Sequence, residues 1–414
     1  MRDSNRRRVV ITGLGVVAPN GIGKEAFWQA TLTGTSGIKL LQDSGQEWAL
    51  GTIPDFVVEE YIDRKLANRT DRMTHFTFAA IQEALLDARL LLEQEHPQRI
   101  GAVIANTQNG VGFVLKQLHA LYTKGPRFVS AYTAIAWLSV ANIGQAAIRY
   151  NIQGYCKTPV NDLVSGLNAM GMAYAAIQRG SADVILTGGS EACLYPFYMQ
   201  VMSSQGQCIP GNNLRTYRPF DRRATGLLLA EGAGICILEE YEHACQRNAP
   251  IYGEIIGYGQ TNDALGLAPP SSDGKHYARA IRQVMQEGTI QPEQIAYFNL
   301  DGHALPSADQ GEATALRLNN LLHIPASVPR TTIGHSYAAA GAIDTITALL
   351  ALQHEYIPPT INCEELDPRY ELALVRDKAQ PMQKNMHNDD RPVVLVGGRG
   401  LGGANAVLAL KKGD

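Results

Sequence analysis

One segment, VNDLVSGLNAMGMAYAAIQRGSADVILTGG from Val160 to Gly189, constrains the fold more than any other. It reads as a tight turn, a helix rich in small residues, a Gly/Ser stop and a buried strand. Turns that deliver a chain onto a helix N-terminus often carry a nucleophile. Here the tip holds Asp162, Leu163 and Val164, and none of them is an obvious one.

The same alternation runs through the chain. RRVVITGLGVV predicts a strand, PNGIG a loop and KEAFWQATLTG a helix. THFTFAAIQEALLDARLLL predicts a helix with Thr74 as its cap. RIGAVIAN is a buried strand, NGVGFVLKQLHALYTKGP a loop and helix, and LSVANIGQAAIRYNIQG a helix ended by Gly154. From about Ile251 the pattern starts over, through IYGEIIGYGQTND, YARAIRQVMQEG, IAYFNLDGHA, QGEATALRLNNLL and AAAGAIDTITALLALQHE. Such alternation predicts an α/β architecture. The strand ends DVILTGGSEA and PVVLVGGRGLGG resemble each other, a hint of internal duplication. A chain of 414 residues exceeds what one core usually serves. Two halves are expected, 1–250 and 251–414, with no low-complexity linker between them.

Composition excludes several classes. Lys and Arg number 36 against 39 Asp and Glu, a net charge of −3, which does not suit a nucleic-acid binder. No apolar run approaches the roughly 18–20 residues of a membrane span. The opening VVITGLGVVAPNG lacks a signal-peptide cleavage pattern. The six cysteines (Cys156, Cys193, Cys208, Cys236, Cys245 and Cys363) show no CxxC pair and no metal spacing. Reduced, mostly buried thiols of a cytoplasmic protein, with no metal, are expected.

Four motifs carry candidate chemistry. GLGVVA, Gly13 to Ala18, approximates a dinucleotide fingerprint, but Pro19 and Asn20 break the element and no second strand with an acidic end follows. A tight strand-exit loop is expected there. GGRGLGG runs into the strand-like NAVLALKK, with no helix to receive phosphate. Ser165 in LVSGL lacks the first glycine of a GxSxG elbow and is expected to cap the following helix. His303 and His335, flanked by glycines between apolar strands and helices, are candidates for acid/base work.

At this point the residues resemble the β-ketoacyl synthases of the thiolase superfamily over nearly the whole chain. The matching stretches are RRVVITGLGVVAPNG, RTDRMTHFTFAAIQEALLDA, SGLNAMGMAYAAIQRGSADVILTGGSEA, RPFD, EGAGICILEE, GHSYAAAGA and GGRGLGGANA. The resemblance implies a five-layered αβαβα sandwich of two duplicated halves and a dimer through the N-terminal half. In active members the turn reads CxSG and its cysteine takes the acyl chain. Histidines in NxHGTxT and KxxxGH stretches assist decarboxylation and stabilise developing negative charge.

This sequence departs from that set. Leu163 stands at the cysteine position, Asp301 at the first histidine position and Arg330 at the lysine position; His335 alone matches. His303 lies two residues beyond Asp301, with Arg399 and Arg330 as candidate ion-pair partners of Asp301. The C-terminal gate loop, which carries two phenylalanines in many synthases, has Arg399 and Leu401. One branch of the family has this profile: the chain-length factors of type II polyketide synthases. The resemblance then implies no independent catalysis and a heterodimer with a cysteine-bearing ketosynthase. It also implies work on the phosphopantetheine arm of an acyl carrier protein, with no cofactor bound, and a tunnel that limits chain length. Gly112, Phe113, Leu118, His119 and Tyr132 are the tunnel-lining candidates, and Phe128 to Ser139 would border the dimer interface. Two other readings are an acyltransferase or hydrolase using Ser165, His335 and Asp301, and a scaffold that docks acyl carrier protein without shaping a product.

Overall fold

The computed structural model describes residues 6–413 apart from 44–45, 205, 207, 209–210, 268 and 384–390. Strand β1 (Val9–Ala18) is buried along all ten residues, so GLGVVA is strand and not a strand-exit loop. The glycines serve packing. A Cβ on Gly13 would lie 2.2 Å from the Ala84 carbonyl, and one on Gly15 would lie 1.9 Å from that of Ala80. Helix α1 (Arg72–Ala88) therefore rests directly on the strand. Asp71, not Thr74, caps α1, its Oδ1 accepting from Met73 N at 3.0 Å. Thr74 donates instead to Asn142 Oδ1 at 2.6 Å.

Strands β2 (Ile100–Ala105), β3 (Val184–Glu191) and β4 (Gly232–Glu240) join β1 in the order β1-β4-β3-β2. The β1–β4 and β4–β3 pairs are antiparallel and β3–β2 is parallel. Strands β5 (Gly253–Asn262), β6 (Ile295–Asn299), β7 (Val393–Arg399) and β8 (Ala404–Lys412) follow in the order β5-β8-β7-β6, with the same sequence of directions. Order and direction thus repeat, which is the duplication hinted at by the matching strand ends. The two sheets meet where Val9 to Ile11 of β1 pair antiparallel with β5.

Helices α2 (Val111–Lys124) and α3 (Ala141–Tyr150) lead from β2 toward the turn at 160–165. Helix α3 ends at Tyr150, before Gly154, because Asn151 takes the left-handed capping conformation at φ 52°. Helices α5 (Lys275–Gly288) and α6 (Pro306–Arg317) cover the outer face of the second sheet, as α1 covers the first. Helix α5 buries Tyr277, Ala278, Ala280, Ile281 and Val284, the one-sided spacing of an outer-layer helix. Between the sheets lie α4 (Ser165–Gln178) and α7 (Ala340–His354), packed on each other. Every residue of α7 from Ala340 to Leu352 is buried, as a helix with a sheet on either side requires. The result is the thiolase-like αβαβα sandwich. Among the described residues no helix is long and apolar enough to cross a membrane.

Candidate functional site

The turn that feeds α4 stands at the centre of the molecule. Leu163 is buried in an apolar cluster with Cys193, Tyr198, Met199, Met202 and Tyr337. Its side chain fills space that a smaller residue would leave void. Ser165 does not cap α4; it is the helix's first residue. Its Oγ accepts from Asn161 N at 2.7 Å and donates to the Asp162 carbonyl at 2.6 Å, so the hydroxyl braces the turn. Burial pushes the Cys193 thiol well up, away from thiolate character. Cys208, Cys236 and Cys363 are buried free thiols as well.

Asp301 follows β6 and lies in a sealed charge cluster. Its Oδ2 is 2.9 Å from His303 Nε2 and 3.2 Å from Arg399 Nε, and its Oδ1 is 3.3 Å from Arg330 Nη1. Both candidate arginines therefore pair with it. Arg399 continues to Glu312 Oε2 at 3.0 Å and to the Ala308 carbonyl at 2.6 Å. Arg330 continues to the carboxylate of Asp344 on α7. Burial opposes the charge of Asp301, but His303, Arg399 and Arg330 overcome it and hold the carboxyl well below the usual carboxylate range. His303 Nε2 also lies 3.1 Å from the Arg399 carbonyl. Two acceptors thus face that nitrogen, so it carries the proton.

His335 is fully buried and meets two donors. Arg330 Nη1 lies 2.7 Å from its Nε2, and the Tyr337 amide lies 3.1 Å from its Nδ1. An imidazolium would find no acceptor at either nitrogen. Burial and the Arg330 cation accordingly push its pKa well down. Ser165, His335 and Asp301 do not form a relay. The serine bonds within its own turn, the histidine faces Arg330, and the aspartate is clasped by cations.

Arg399, expected in the gate loop, has its side chain turned into the core. It ends β7 with its side chain 1 % exposed, built into the Asp301 cluster. Leu401, half-buried, heads the glycine-rich loop, and its amide donates to Asp162 Oδ2 at 2.7 Å. Of the tunnel candidates, Gly112 does not face open space, since a Cβ there would lie 1.8 Å from the Tyr195 hydroxyl. Phe113 donates its amide to Asp71 Oδ2 at 2.7 Å, fixing the start of α2. Leu118 is half-buried and His119 exposed. Tyr132, half-buried, lies under the Arg69 guanidinium, 4.8 Å from ring centroid to Cζ. Among the described residues no cluster of three or more His, Cys, Asp or Glu could hold a metal.

Two participants escaped sequence reasoning. Asp344 is the only charged residue between Ala340 and Leu352, and a lone acid in a fully buried helix signals a partner. Glu312 accepts from the amides of Asp301 and Gly302, each at 2.9 Å, and so shapes the loop that carries Asp301.

Comparison with known proteins bears on the fold and the family. The family models "Beta-ketoacyl synthase, N-terminal domain" and "Beta-ketoacyl synthase, C-terminal domain" match residues 6–244 and 252–364. A 3-oxoacyl-[acyl-carrier-protein] synthase 2 of Synechocystis sp. is 32% identical over 421 residues, covering all of both chains. A putative polyketide beta-ketoacyl synthase 2 of Streptomyces halstedii is 35% identical over 419 residues, covering 98% of each. Among solved structures, the ishigamide ketosynthase/chain length factor superposes with a TM-score of 0.89 at 27% identity, over 99% of this chain and 100% of that one. A type II polyketide synthase ketosynthase, in complex with its acyl carrier protein and bound to the hexaketide, gives 0.87 at 28%, over 99% and 100%. With its duplicated sheets, its central pair of helices and both family domains matched, the chain belongs to the β-ketoacyl synthase family.

Proposed function

We propose that this chain is a chain-length factor: a subunit without condensing activity of its own that pairs with a cysteine-bearing ketosynthase. The observation that carries the reading is the pairing of Leu163 with a sealed Asp301–Arg330–Arg399 cluster inside an intact ketosynthase scaffold. A condensing enzyme forms a thioester on a nucleophile and stabilises an enolate with neutral or cationic donors. Leucine cannot form the first, and a fixed carboxylate repels the second. Among the described residues the scaffold is otherwise sound, with paired strands and buried apolar cores, which suits a task other than bond-making.

A partner-facing surface is consistent with this. The stretch between α2 and α3 exposes Phe128, Ile135, Trp137, Leu138 and Val140, with Trp137 61 % exposed. Five large exposed apolar side chains within thirteen residues of chain favour an interaction site there. The partner would supply the nucleophile, acyl carrier protein would deliver the growing chain on its phosphopantetheine arm, and residues of α2 would contribute the tunnel wall. A bulkier wall leaves less room for the chain and shortens the product.

The test is co-expression of the tagged chain with ketosynthases encoded near it, followed by native mass spectrometry. The expected result is a 1:1 complex that makes a polyketide only when both subunits are present. A stable homodimer that turns over acyl thioesters alone would overturn the reading. Leu118→Trp then tests the wall. Shorter product is expected, and an unchanged product distribution removes α2 from the tunnel.

A further inference from the structure

Helices α1 and α2 meet at one carboxylate, that of Asp71. Its Oδ1 accepts from Met73 N at 3.0 Å, and its Oδ2 accepts from Phe113 N, 42 positions away, at 2.7 Å. The first amides of a helix have no partner inside it. Gly110 precedes α2 and has no side chain to cap it. Asp71 supplies the acceptor from the neighbouring helix, so a single side chain caps both. It is 5 % exposed. Burial pushes its carboxyl up, and the amides of Met73 and Phe113, ahead of Lys116 and Arg72, act against that push.

The two helices are held differently. Helix α1 buries ten of its 17 residues and rests on Gly13 and Gly15 of β1. In α2 only Gly112 and Val114 are buried among 14 residues, and both lie in its first turn. The rest of α2 is half-buried or exposed. A Cβ on Gly110 would lie 3.2 Å from Asp71 Cβ and 2.9 Å from the Ala136 carbonyl, which accepts from Gly110 N at 3.0 Å. The start of α2 is thus gripped between Asp71 and the apolar stretch that contains Ala136. We propose that Asp71 is the positioning residue of α2: its carboxylate ties the first turn of that helix to the buried α1–β1 layer and so sets where the tunnel wall stands. The role of α2 as a wall rests on the chain-length-factor reading; the tie itself does not.

The test uses Asp71→Ser. Serine is as good an N-cap as aspartate, so α1 keeps its cap, but the shorter side chain does not also reach the Phe113 amide. Hydrogen exchange is read at both amides in the full chain. Loss of a hydrogen bond to a charged acceptor predicts exchange at Phe113 faster by about 10-fold or more, with Met73 near its wild-type rate. Asp71→Asn is the second variant. It keeps the side-chain volume but replaces one of the two acceptor oxygens with a donor, which releases one of the two amides. Wild-type exchange at Phe113 in Asp71→Ser, with both amides also unchanged in Asp71→Asn, overturns the proposal. Each variant is then paired with the ketosynthase that makes a polyketide with the wild-type chain. A released α2 shifts the distribution of product lengths while the 1:1 complex persists, whereas simple unfolding lowers every product alike. An unchanged distribution from a variant with a released Phe113 amide overturns the positioning role. If no ketosynthase makes a polyketide with the wild-type chain, the chain-length-factor reading has failed, and the exchange rates still decide whether Asp71 holds α2.

Discussion

Arg399 Nε lies 3.2 Å from Asp301 Oδ2 although 98 positions separate the two residues. The pair ties the end of β7 to the loop after β6, and both side chains are 1 % exposed. Removing charges from water is costly, so such a pair stabilises only when its remaining donors and acceptors are satisfied. Arg399 meets this condition through Glu312 and the Ala308 carbonyl, and Asp301 through Arg330 and His303.

Arg399→Leu leaves Asp301 and Glu312 buried with less compensation. Breaking a buried ion pair from one side costs about 3–5 kcal/mol. Urea denaturation of the variant should show a loss of that size. A loss below about 1 kcal/mol, the value of an exposed pair, would mean that the cluster is solvated.

Leu163→Cys restores the residue type of the active turn but not the site. Asp301 remains an anion, His335 remains between two donors, and the Asp162 carboxylate remains on the Leu401 amide. The variant should neither release carbon dioxide from malonyl-acyl carrier protein nor form a condensation product above the wild-type background. Condensation by Leu163→Cys alone would show that the cluster does not block the chemistry.

Gly112→Ala places a methyl group where the Tyr195 ring now lies. Overpacking of this kind costs about 1–3 kcal/mol. In a double-mutant cycle, Tyr195→Ala should relieve most of the strain, so that the double variant is less destabilised than the sum of the singles. Strict additivity would show that the two residues do not meet.

His243 bridges Glu239 and Glu95, with Nδ1 2.8 Å from the first and Nε2 3.0 Å from the second. The Glu239 hydrogen bond, opposed by burial and aided by Glu95, raises its pKa from 6.5 to about 9. Because the folded value lies above the unfolded one, the stabilisation is fully present below about pH 6.5 and is lost as pH rises through about 9. Denaturation midpoints should therefore fall across that window in the wild type. His243→Gln should remove this component of the slope, and a profile identical to wild type would show that the bridge does not titrate as described.

Much of the architecture is legible in the sequence because buried strands and inter-sheet helices write continuous apolar runs. The helix after Ser165 and AAAGAIDTITALLALQHE read correctly as elements, and the strand that opens at VVIT was expected but runs on through GLGVVA. The errors lie where a neighbour decides. Gly13 and Gly15 resemble a loop motif until α1 is seen resting on them. Ser165 reads as a helix cap in the sequence, yet it is the first residue of α4 and the turn's own carbonyl and amide claim its hydroxyl. Arg399 sits in a gate-loop motif, but Asp301 and Glu312 draw it into the core.

By itself the sequence determined the alternation of strands and helices, the two-fold plan and the absence of a nucleophile at Leu163, since each is a property of residue type and local order. Only the tertiary structure decided what Asp301 and Asp162 do. Their partners lie 98 positions away at Arg399 and 239 positions away at Leu401. A carboxylate's charge state and role depend on the cations, amides and solvent within a few ångströms of it, and the folded chain alone sets that neighbourhood.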